Sequence, residues 1–162
     1  MIAVTLNSYE LAQAGTTGLL RNIAALKRGY KNKNENANWQ NHVEGACGEV
    51  AVAKLLGKYW GGSINTFKEG GDLDSTGWEV RTRSNHHYDL IIRKDDADDR
   101  VFILVTGNAP NYQVHGWILA ADGKQPKWLK DHGGHGDAYF VPKDALRRLG
   151  DLDEHKGSNV GV

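Results

Sequence analysis

The chain has 162 residues, 40% of them hydrophobic and 25% charged, which suits one domain with a packed core. Its formal net charge is zero, without the basic excess common in nucleic-acid binders, and its single cysteine, Cys47, excludes an intrachain disulfide and a thiolate zinc site. No apolar run approaches the roughly 18 residues of a membrane span, and no basic start with an apolar stretch marks a signal peptide, so a cytoplasmic protein is expected.

Met1 to Leu6 reads as a short strand or packed lead-in. Asn7 or Ser8 then caps a helix, with Glu10 in its first turn, that continues to about Tyr30 and is interrupted at Gly15 to Gly18. Lys31 to Asn38 is an Asn-rich loop. From Trp39 to Leu56 the positions Val43, Ala46, Val50, Ala53 and Leu56 recur at helical spacing, and Gly57 stops the helix.

Trp60 to Phe67 should hold a short strand. An acidic turn leads into the strand Trp78 to Arg83, and Tyr88 to Arg93 is a third apolar run. After the acidic turn Lys94 to Arg100 comes the most apolar strand, Val101 to Thr106, which belongs at the centre of a sheet. Tyr112 to Ala120 alternates Val114, Gly116 and Ile118 against His115, Trp117 and Leu119. Lys124 to His132 reads as a short helix, Gly133 to Asp137 as a flexible turn and Tyr139 to Val141 as a strand. Pro142 opens a last helix to Leu149, and a polar tail follows from Asp151.

The chemistry gathers in two places. On the 39–56 helix, Glu49 has Gly45, Ala46, Val52, Ala53 and Leu56 as face neighbours, whereas Glu44 has Gln40, Asn41, Cys47, Gly48 and Ala51, a wetter surrounding. A carboxylate on an apolar stripe needs an arginine partner or a metal ion, so Glu49 is the more informative of the two. The second place is Gly70 to Arg83, where an acidic turn with Asp72 and Asp74 precedes an alternating run. Glu79, Arg81 and Arg83 share one strand face, and a hairpin would bring Asp72 or Asp74 beside Glu79. Paired carboxylates with guanidiniums on one face suit a divalent metal next to a phosphate, and equally an edge strand with a solvated charged face.

In order, the chain offers Gly45-x-x-x-Glu49 on a helix, Lys54-Leu55-Leu56-Gly57, a strand, Gly71-Asp72-Leu73, then Glu79-Val80-Arg81. This order resembles the PD-(D/E)XK nuclease superfamily, and the segments Val101 to Val105 and Val114 to Ile118 resemble the distal strands of its small phage-encoded members. The resemblance implies an α/β (α+β) fold of restriction-endonuclease type, a mixed central sheet flanked by helices. It implies one domain over residues 1–150, with 1–40 a helical extension and 43–120 the nuclease-like core, and 151–162 as tail. Glu49, Asp72 and Glu79 would then hold Mg²⁺ (or Mn²⁺), with Asp74 standing in for Asp72 if the register differs. Where the family has lysine this chain has Arg81, which orients phosphate and stabilises charge yet accepts no proton. Lys54 and Lys68 are alternative sources of the ammonium.

Two functional expectations follow. One is a metal-dependent nuclease hydrolysing DNA rather than RNA, as a possible homodimer in the host cytoplasm, with Arg83, Arg93 and His87 contacting the backbone. The other is a nuclease-like fold without catalysis that binds DNA or protein. Exposed turn positions are expected for His86 and His87, a flexible loop for His132 and His135, packing roles for Trp117 and Trp128, and burial for Cys47.

Overall fold

A computed structural model describes residues 1–29, 38–64, 72–73, 77–131, 134 and 136–152. Strand β1 (Ile2–Thr5) leads into helix α1 (Ser8–Lys27) through a full capping box. The Asn7 side chain accepts from the Tyr9 and Glu10 amides at 3.0 Å each, and the Glu10 carboxylate accepts from the Asn7 amide at 2.7 Å. The expected interruption at Gly15 to Gly18 does not occur, because Gly18 serves packing. A Cβ there would lie 2.6 Å from the Val43 backbone, so only glycine lets α1 press this closely on its neighbour.

That neighbour is α2 (Asn38–Leu56), ended by Gly57 at φ +60°. Residues Ala46 to Ala53 are buried without interruption, so over these two turns the expected apolar stripe widens to the whole circumference of the helix, while its two ends stay half-buried or exposed. α1 covers one side of α2 and the central sheet the other, and small residues permit both contacts. At Gly48 an added Cβ would stand 1.9 Å from the Thr82 hydroxyl.

The central sheet has the order β1-β5-β4-β2, with β2 (Trp78–Arg83), β4 (Val101–Asn108) and β5 (Asn111–Leu119). β2 runs parallel to β4, while the β4–β5 and β1–β5 pairs are antiparallel, so the sheet is mixed and β4 is interior as expected. Trp78, Val80, Val101, Ile103 and Val105 pack toward α2 in one apolar cluster. Phe102, Leu104 and Ile118 pack the other way, onto Leu90, Ile92 and Val141. Those last residues belong to a second antiparallel sheet, β3-β7-β6, of β3 (Leu90–Arg93), β6 (Leu129–Asp131) and β7 (Asp137–Val141). The result is an α+β architecture of helices, mixed sheet and small sheet in layers.

Three expectations are corrected. Simple alternation along β5 fails, because the register shifts between Leu104 and Val105 and Val114 and Trp117 end up in the same cluster. The expected helix 124–132 is a 3₁₀ turn (Pro126–Trp128) followed by β6. The expected last helix gives only 3₁₀ turns at Lys143–Ala145 and Leu149–Asp151. Between them Arg147 exchanges two backbone hydrogen bonds with Trp117, at 2.7 and 3.1 Å, an attachment a helix could not make. Gly116 makes room for it, since a Cβ there would meet the Arg147 carbonyl at 2.4 Å. Of the strand expected at 60–67, residues 60–64 are irregular and 65–67 lie outside the described residues. The loop at 31–37 and the tail beyond Leu152 also lie outside them.

Candidate functional site

The expected meeting of Asp72 with β2 takes place at one edge of that strand. The Asp72 amide donates to the Trp78 carbonyl at 2.8 Å, and its Oδ2 accepts from the Val80 amide at 2.7 Å. Glu49 comes to this edge from α2 and Glu79 from the opposite sheet face, so the carboxylates flank the strand rather than share one surface. Asp74 and Lys68 lie outside the described residues.

Each carboxylate is held differently. Glu49 is 4% exposed and clamped by Arg21 of α1, whose Nη1 and Nη2 lie 2.6 and 2.9 Å from its two oxygens. The Trp60 indole donates to the same carboxylate at 2.9 Å, and Arg21 Nε donates to the Ser63 carbonyl at 2.8 Å. Of the two remedies for a carboxylate on an apolar stripe, the structure supplies the arginine. Glu79 is half-buried, with Arg81 at 3.6 Å and Arg100 at 3.7 Å, both looser than a hydrogen-bonded pair. Asp72 makes no ion pair among the described residues.

Arg81 is engaged by a neighbouring carboxylate and an aromatic ring. Its Nη2 forks onto both oxygens of Asp96 at 3.1 Å, and its guanidinium lies 4.6 Å from the Phe102 ring centroid. Asp96 also accepts from the Arg93 amide at 2.7 Å, so the acidic loop after β3 anchors the site strand. Lys54 donates to the Thr5 carbonyl and the Glu10 carboxylate, which binds it to the β1–α1 junction. Arg83 donates to the Asp89 carbonyl at 2.9 Å and stacks on Tyr88. Arg93, His86 and His87 are exposed, the exposure expected of both histidines, and His86 Nδ1 also reaches the buried Thr106 hydroxyl at 2.7 Å. His132 and His135 lie outside the described residues. Trp117 and Cys47 are each 1% exposed, the burial expected of them.

The electrostatics follow from the charge balance. Among the described residues Glu49, Asp72, Glu79 and Asp96 face Arg21, Arg81 and Arg100, leaving one carboxylate without a cation. Asp72 bears this excess. Burial first, then the charges of Glu49 and Glu79, push its carboxyl up to about 7, against the Val80 amide and Arg81. Burial also raises Glu79, opposed by Arg81 and Arg100.

A hard divalent cation fits this donor set, since oxygen ligands with a surplus negative charge are what Mg²⁺ takes. Among the described residues no three His, Cys, Asp or Glu side chains are grouped to hold an ion by themselves. Mg²⁺ commonly takes one or two carboxylates and completes its shell with water and phosphate oxygens. Asp72 and Glu79 suit that role, while Glu49 is already occupied by Arg21.

Arg21, Trp60, Asp96 and Arg100 are the site residues that sequence reasoning misses. The one available signal was the demand of Glu49 for an arginine, which names a residue type without a position. Compared with protein-family models, curated proteins and solved structures, the chain matches none of them.

Proposed function

We propose that this chain is a Mg²⁺-dependent phosphodiesterase acting on DNA, a nuclease of the PD-(D/E)XK type working in a host cytoplasm. The supporting observation is the convergence of Glu49, Asp72 and Glu79 on one strand edge with more carboxylate than guanidinium around them. Mg²⁺ held there by Asp72 and Glu79 would lower the pKa of a bound water and neutralise charge on the phosphate.

The chain's own groups divide the remaining work. Arg81 and Arg100 flank Glu79 with long ion-pair contacts that leave its oxygens open, and Arg21 holds Glu49 as a fixed negative charge behind Asp72. Arg81 neither gives nor takes a proton at neutral pH. Exposed Arg93 and His87 are available to a phosphate backbone, and Arg83 reaches it only by leaving the Asp89 carbonyl. Among the described residues no helix is long and apolar enough to cross a membrane.

The test is cleavage of single- and double-stranded DNA with and without Mg²⁺ or Mn²⁺. Asp72→Asn and Glu79→Gln should each lower metal-dependent cleavage by about 100-fold or more. Undiminished cleavage in both variants rejects the proposal.

One observation favours a second reading, a nuclease-like fold that binds without cutting. Arg81 is committed to Asp96 and Phe102 through its guanidinium, and the Lys54 ammonium to Glu10, so neither side chain offers a free cation at the edge of β2. On that reading the native chain binds DNA and is inert with every divalent metal, while Arg81→Lys acquires cleavage.

A further inference from the structure

A cavity of about 470 Å³ opens between the start of α2 and the ends of β2 and β4. Its volume falls within the usual range for small-molecule sites, roughly 300–1,000 Å³. The lining departs from the usual apolar one: Gln40, Asn41, Glu44, Thr82, Arg83 and Asn108 supply its larger side chains. The cavity shares a seam with the acidic edge, because Glu44 and Glu49 lie on one helix and Thr82 and Glu79 on one strand. Along β2 the span from Glu79 to Arg83 is about 13 Å.

Glu44 decides what this cavity takes. Its carboxylate is half-buried and makes no ion pair among the described residues. The buried Tyr112 donates its hydroxyl to Glu44 Oε2 at 2.5 Å, which fixes the carboxylate's direction. Such a group, acceptor-only when ionised, selects a ligand that presents N–H donors. The amides of Gln40 and Asn41 offer both donors and acceptors, and Arg83 offers a cation.

We infer that this cavity is a nucleobase pocket for an unpaired guanine lying near the phosphate handled at the β2 edge. Guanine alone among the common bases sets an imino and an amino N–H side by side, matching a carboxylate, with the O6 acceptor next to them for an amide or Arg83. Adenine turns its ring nitrogen toward Glu44, cytosine pairs one amino group with an acceptor, and thymine flanks its single N–H with carbonyls. The wrong base leaves the carboxylate desolvated and unmatched, which is the stronger source of discrimination. In a duplex these edges are paired, so the substrate is single-stranded or locally opened. This inference rests on the nucleic-acid reading given above, and deepens it to a substrate class.

The experiment measures fluorescence anisotropy of the full chain with labelled thymidine hexamers carrying one central G, A, C or T, in EDTA so that cleavage plays no part. The G oligomer should bind about 10-fold more tightly than the others. Glu44→Gln, which keeps the Tyr112 contact, should reduce that preference to within about twofold, the affinity for the G oligomer falling most. A second measurement guards against a folding defect: guanosine monophosphate added to the native chain should shift the side-chain amide resonances of Gln40, Asn41 and Asn108. Equal binding of the four oligomers, a preference that survives Glu44→Gln, or no oligonucleotide binding overturns the inference. Cleavage without a base preference sinks the pocket and leaves the nuclease standing. A Glu44-dependent preference without cleavage does the reverse.

Discussion

The two ends of the central sheet hold polar clusters under opposite conditions. At the Asp72 end, carboxylates outnumber the guanidiniums facing them, and the Glu79 contacts are long. At the other end, the buried Thr106 hydroxyl sits 2.7 Å from both His86 Nδ1 and His115 Nε2. A hydroxyl has one proton, so at least one ring donates its N–H to the oxygen. Burial first, and then Lys143, bring His115 down to about 4, which keeps that ring neutral at physiological pH. The histidine end is satisfied from within, whereas the acidic edge retains an unbalanced charge that an added cation would remove.

Breaking the acidic edge at its strongest point should give the largest effect. Arg21→Met leaves Glu49 buried without its partner and should cost about 3–5 kcal/mol in denaturant unfolding. Adding Glu49→Leu should recover much of that loss, because an apolar pair removes the stranded charge. Thr106→Val strips the bridge from both histidines at nearly constant volume, and should cost about 1–3 kcal/mol.

Asp72→Asn should act in the other direction. It removes surplus charge and keeps an oxygen for the Val80 amide. The metal-free chain at pH 8 should gain on the order of 1 kcal/mol, roughly 2–4 °C in Tm. The accompanying pH dependence has opposite sign at the two ends. The Asp72 contribution, with the carboxyl raised from 3.8 to about 7, is fully present below 3.8 and is lost as pH rises through 7. The His115 contribution, with the ring lowered from 6.5 to about 4, is present above 6.5 and is lost as pH falls through 4. Thermal melts from pH 4 to 8 should therefore show Asp72→Asn flattening the loss of stability as pH rises toward 7 and His115→Gln, the mildest change, softening the loss as pH falls toward 4.

Much of the fold was legible because it rests on local signals. The Asn7–Glu10 capping box, the apolar β4 and Gly57 after α2 are all read within a few residues. What escaped depends on distant partners. The Arg21–Glu49 clamp joins residues 28 apart, and the expected break at Gly15 to Gly18 obscured that one continuous helix carries Arg21. Gly18 resembles a helix breaker until its contact with Val43 is known. The shift in β5 and the Arg147 bridge to Trp117 likewise arise from tertiary packing, which overrode alternation in one case and helix periodicity in the other. At the candidate site, Asp72 and Glu79 were legible as an acidic turn followed by a strand. The engagement of Arg81 by Asp96 was not, because Asp96 reads as one more charge in a solvated turn.

The most direct test of the acidic edge as a cation site is calorimetric titration of Mg²⁺ or Mn²⁺ near pH 7, in two buffers of different ionisation heat, into the native chain and Glu79→Gln. A single binding event in the native chain is predicted, with proton release from Asp72 seen as a buffer-dependent heat and with binding lost in the variant. No binding by the native chain, or binding that Glu79→Gln leaves unchanged, would contradict the account.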